Sequence, residues 1–66
     1  MTISIWVNPE NLNHFIDTVK YFENGYSISN TEFNKLNGTF STIQNLEWAH
    51  VQISSLIYYK LLDYYA

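Results

Sequence analysis

Apolar and polar residues alternate along this chain with two different periods, and each period marks an element. From residue 2 to 7 the alternation is strict, with Ile3, Ile5 and Val7 on one side and Thr2, Ser4 and Trp6 on the other. That predicts a strand with one buried face. Asn8-Pro9-Glu10 then has the chemistry of a helix start: an amide side chain that can cap, a proline suited to the first position, and a carboxylate facing the positive end of the helix dipole. Beyond it Leu12, Phe15, Ile16, Val19 and Phe22 recur at three- and four-residue spacing, with Asn13, Asp17, Thr18 and Lys20 away from that stripe. Asn24-Gly25 ends the helix.

After a connector, Ser29-Asn30-Thr31-Glu32 matches a capping box, with Ile28 and Phe33 placed as a hydrophobic staple. The helix it opens is short, because Asn37-Gly38 follows within two turns, and Phe33 and Leu36 are its expected anchors. Residues 39–44 have the β-branched and aromatic content of a strand, and residues 47–53 alternate again, with Ala49, Val51 and Ile53 opposite Trp48, His50 and Gln52. Asn45-Leu46, or a wider four-residue turn, would join these two strands as a hairpin. Ser54 or Ser55 caps a last helix, residues 56–65, which is apolar almost all round: Ile57, Leu61 and Tyr64 make one stripe and Tyr58, Leu62 and Tyr65 a second. The order β-α-α-β-β-α predicts a small α+β fold, an open two-layer sandwich of about three mainly antiparallel strands with helices on one face.

Length changes what that pattern implies. A chain of 66 residues makes one domain, residues 1–66, and buries only about 60% of the surface its unfolded form exposes. Small domains make up the deficit with a disulfide, a metal or a partner subunit. There is no cysteine, and two histidines are too few for a zinc site. A homodimer is therefore expected, with no cofactor.

Two features say where partners would bind. Trp6 and Trp48 each fall on the polar side of their strands, with His50 and Gln52 beside them. Either they form an exposed aromatic patch for a partner, or Tyr26 or the short helix folds over them. Likewise Tyr58, Leu62 and Tyr65 either meet another subunit or a target's groove, or complete the core with their hydroxyls at its rim. The aromatic share of 18% suits interfaces, although an AT-rich genome would encode the same residues.

Other chemistry is thin. His14 and Asp17 stand one helical turn apart, but two ligands do not make a metal site, and a solvated helix face accounts for them. The carboxylates are scattered, Gly25 and Gly38 stand alone rather than in a phosphate loop, and no nucleophile elbow or triad order is present, so the chain is expected not to be an enzyme. A nucleic-acid-binding regulator stacking bases on the aromatic sheet face is the alternative. Three scattered lysines, no arginine and a net charge of −3 argue against it. No signal peptide and no membrane-length apolar run are evident, so a cytoplasmic location is expected, and the sequon Asn37-Gly38-Thr39 has no consequence there. In size, residue usage and lack of catalytic groups the chain resembles the small accessory proteins of bacteriophages and mobile elements in low-GC bacteria. That resemblance is one of character rather than motif. It implies an inhibitor or adaptor that occludes a bacterial host enzyme or defence protein.

Overall fold

In the computed structural model, which describes residues 1–65, the first strand of the chain is the middle strand of the sheet. Ala66, the last residue of the expected domain, lies outside the described residues. Strand β1, Thr2–Val7, pairs antiparallel on one side with β2, Phe40–Ser41, and on the other with β3, Ala49–Ser54. Helix α1 (Leu12–Glu23), the short α2 (Asn30–Asn34) and α3 (Ser55–Asp63) complete an α+β fold whose element order is the expected one.

The central position of β1 follows from its apolar face. Ile5 and Val7 are fully buried, and they form one core cluster with Ile53, Phe15, Phe22, Phe33, Leu36, Ile57 and Leu61. A strand flanked on both sides and covered by helices hides such residues better than an edge strand would, and each fully buried side chain of this kind contributes about 1.5–3 kcal/mol.

This order corrects the expected hairpin. Strands β2 and β3 do not pair with each other; both run antiparallel to β1, so residues 42–48 must carry the chain across β1 from one edge of the sheet to the other. The strand expected over residues 39–44 shrinks to two residues, because the Ser41 hydroxyl accepts the Ile43 amide at 3.0 Å and bends the chain out of the ladder. Similarly, the Asn45 side chain accepts the Glu47 amide (3.0 Å) and its carbonyl accepts the Trp48 amide (3.1 Å). Glu47 and Trp48 therefore belong to a turn, and β3 starts two residues later than the alternation suggests.

The local signals at helix ends hold. Asn8 accepts the Glu10 amide at 3.1 Å and leads into a 3-10 turn, Pro9–Asn11, that precedes α1. Ser29 caps α2 through the Glu32 amide (3.1 Å), and Ser54 caps α3 through the Ile57 amide (3.2 Å). Gly25 and Gly38 take φ of 83° and 80°, a conformation a side chain would strain. The capping box is half formed, since the Glu32 carboxylate turns to Lys35 Nζ at 3.0 Å. Along α1 the stripe shifts: Thr18 is only 2% exposed while Ile16 is exposed. Thr18 tolerates burial because its hydroxyl donates to the His14 carbonyl at 3.0 Å, one turn back.

Candidate protein-interaction surface

Residues on the sheet face opposite the core are fixed by the register. Trp6 sits between Ser41 on β2 and His50 on β3, Ser4 stands opposite Gln52, and Thr2 stands opposite Ser54. The ring that meets Trp6 is that of His50, stacked with centroids 5.0 Å apart and planes 22° from parallel. His50 and Gln52 are exposed and Trp6 is half-buried, so the patch is a pair of rings lying on the sheet, with one ring open to solvent. Sequence spacing had associated His50 with Trp48; cross-strand pairing associates it with Trp6 instead.

Trp48 belongs to a different neighbourhood. It is half-buried in the turn before β3 and, with Ser41 and residues 43–47, lines a shallow hollow of about 610 Å³. Two apolar side chains that sequence reasoning did not single out line the same hollow, Ile43 at 76% and Leu46 at 87% exposed. Their signal was visible as two aliphatic residues in a polar stretch, but Ile43 had been placed in a strand and Leu46 in a hairpin turn.

The three residues of the second stripe divide, and the helix expected over residues 56–65 ends at Asp63, leaving Tyr65 in the turn beyond it. Tyr58 packs against the core, whereas Leu62 and Tyr65 are exposed. Even so, Tyr65 lies edge-on to Phe33 at 4.9 Å and 6.3 Å from Phe40. Partial burial raises its phenol above the ordinary value of 10.0, and Tyr58 adds to the shift. Leu56 and Tyr59, 74% and 61% exposed, form the remaining apolar side of α3. Tyr64 is more deeply engaged than a rim residue: its hydroxyl accepts the Ile28 amide (3.0 Å) and donates to the Ile28 carbonyl (2.7 Å), while its ring stacks on Phe33 at 4.7 Å.

His14 and Asp17 border a hollow of about 690 Å³ between α1 and the following connector, with Glu32 on its other side. His14 Nε2 is 3.8 Å from Glu32 Oε2. Among the described residues no group of three or more His, Asp or Glu is placed to hold a metal ion. None of the described helices is long and apolar enough to cross a membrane.

Taken together these features define an open-faced α+β sandwich that presents a stacked Trp–His pair, an apolar turn and one apolar helix side. Protein-family models, curated proteins and solved structures give no significant match to the chain.

Proposed function

We propose that this chain is a small non-enzymatic binding protein, homodimeric, that blocks a bacterial host or defence protein by occlusion, in the manner of phage and mobile-element inhibitors or adaptors. The observation that carries the reading is the exposure of Ile43 and Leu46 in the turn that holds Trp48. Neither residue is part of the core, and large apolar side chains gathered in one polar-rimmed hollow are characteristic of contact surfaces. The Trp6–His50 pair extends the contact area along the sheet, and Gln52 adds a hydrogen-bonding group.

Nucleic acid suits the surface less well. Lys35 is engaged by Glu32 at 3.0 Å and Lys60 donates to the Phe22 carbonyl at 3.2 Å. That leaves little free positive charge in a chain of net charge −3 to hold a phosphate backbone.

The test is affinity capture from a bacterial lysate followed by binding of the purified target. Truncating a central aromatic contact costs about 2–4 kcal/mol, so Trp48→Ala and His50→Ala should each weaken binding roughly 30-fold or more with little change in the circular dichroism melt. Unchanged target affinity in both variants would sink the assignment.

A further inference from the structure

The two edges of the sheet are unequal. On one side β2 covers only the last two residues of β1. On the other, all six residues of β3 form an edge, and among the described residues nothing pairs with its outer side. The Ser55 amide donates to the Met1 carbonyl at 3.0 Å, one step beyond the Thr2↔Ser54 pair. Hydrogen-bonded pairs alternate in an antiparallel ladder, so Ile3↔Ile53, Ile5↔Val51 and Val7↔Ala49 are the bonded pairs. The opposite side of β1 agrees, since Asn8 donates to the Thr39 carbonyl at 2.7 Å. The N–H and C=O groups of His50, Gln52 and Ser54 therefore point outward, away from β1.

Natural edge strands are blunted by lysine, proline, bulges or brevity. The sequence Ala-His-Val-Gln-Ile-Ser has no lysine or proline, and its register with β1 runs without a bulge from end to end. We infer that β3 pairs antiparallel with β3 of a second copy about a two-fold axis at Gln52, joining two sheets into one six-stranded sheet. This deepens the dimeric part of the proposed function and is separable from target binding.

Self-pairing is favoured over a foreign strand by complementarity on both faces. About Gln52, His50 meets Ser54 of the copy, Val51 meets Ile53, and Gln52 meets its own equivalent; aliphatic stands against aliphatic and polar against polar. Strand pairing alone falls short of the roughly 1,200–2,000 Å² a stable interface buries. Helix α1 lies where it would add the rest: Ile16, Val19, Lys20 and Glu23 border a groove of about 160 Å³ against Val51 and Ile53. Among the described residues neither Lys20 nor Glu23 has an ion-pair partner. An antiparallel second α1 turns the partner's Glu23 toward Lys20, and the reverse, so each charge meets its opposite.

The experiment is sedimentation of the purified chain with three variants, alongside amide exchange. Wild type should sediment as a dimer, with the Gln52 amide protected from exchange. Gln52→Pro removes an outward N–H and no internal bond, so the chain should stay folded and dissociate about 30-fold or more readily. Gln52→Lys and Gln52→Glu should each be weakened alone, through like charges across the axis, and should restore a dimer when mixed. A folded wild-type monomer with a freely exchanging Gln52 amide overturns the inference. So does a dimer indifferent to all three changes, which would place the contact elsewhere. Ile43→Ser with Leu46→Ser lies outside β3 and should lower target affinity while leaving the dimer unchanged, so the two readings fail separately.

Discussion

Two connectors leave the sheet of this protein, and they are held in opposite ways. Residues 24–39, between α1 and β2, contribute Phe33 and Leu36 to the core and are gripped at Ile28 by the Tyr64 hydroxyl, 36 positions away in sequence. Residues 42–48, between β2 and β3, are shaped by bonds spanning two or three positions, from Ser41 to Ile43 and from Asn45 to Glu47 and Trp48. Their aliphatic residues stay in solvent. Short polar bonds give a turn its shape but do not attach it to anything; attachment needs apolar anchors or a bond from a distant element. The free connector is consequently the one with contact area to offer.

The contrast is broken most severely at Phe33. Phe33→Ala removes the ring on which Tyr64 and Tyr65 both rest and should cost about 3–5 kcal/mol. That is comparable to the whole stability of a small domain, so the variant should be largely unfolded by circular dichroism. A loss under about 1 kcal/mol would mean the first connector is not anchored as described. Tyr64→Phe comes next: it keeps the stack on Phe33 but abandons both Ile28 groups, which are partly buried. Denaturant titration should show a loss of about 1–3 kcal/mol, with faster amide exchange through residues 26–30. Smallest is the doubly polar turn, Ile43→Ser with Leu46→Ser. Each change should move stability by no more than about 0.5 kcal/mol, while affinity for the captured target falls. A marked drop in melting temperature would show that the second connector is packed after all.

How legible each region was follows from the range of the interactions that build it. Caps at Asn8, Ser29 and Ser54 and the glycine ends at Gly25 and Gly38 depend on neighbours within a few positions, and the sequence displays them directly. The inward turn of Thr18 could not be read from polarity, because its hydroxyl is satisfied by the carbonyl of His14 within its own helix. Strand order was hidden for a different reason. Residues 39–44 have the composition of a strand and residues 47–53 alternate, which suits a hairpin, but the sheet order β2-β1-β3 places them on opposite flanks of β1. The Trp6–His50 stack and the Tyr64 clasp on Ile28 join positions far apart in the chain. No local pattern encodes either one. The apolar surplus of the last helix, by contrast, was plain, and Leu56, Tyr59 and Leu62 do remain exposed.

The central strand also sets when the protein can come together. Its longest ladder joins Thr2 to Ser54 and Val7 to Ala49, so the middle strand waits for residues more than forty positions later before most of its length is paired. Closing so wide a loop precedes most of the reward. Assembly is therefore weighted to a late event, and a nascent chain halted before residue 49 has only the two residues of β2 to zip against its apolar ribbon.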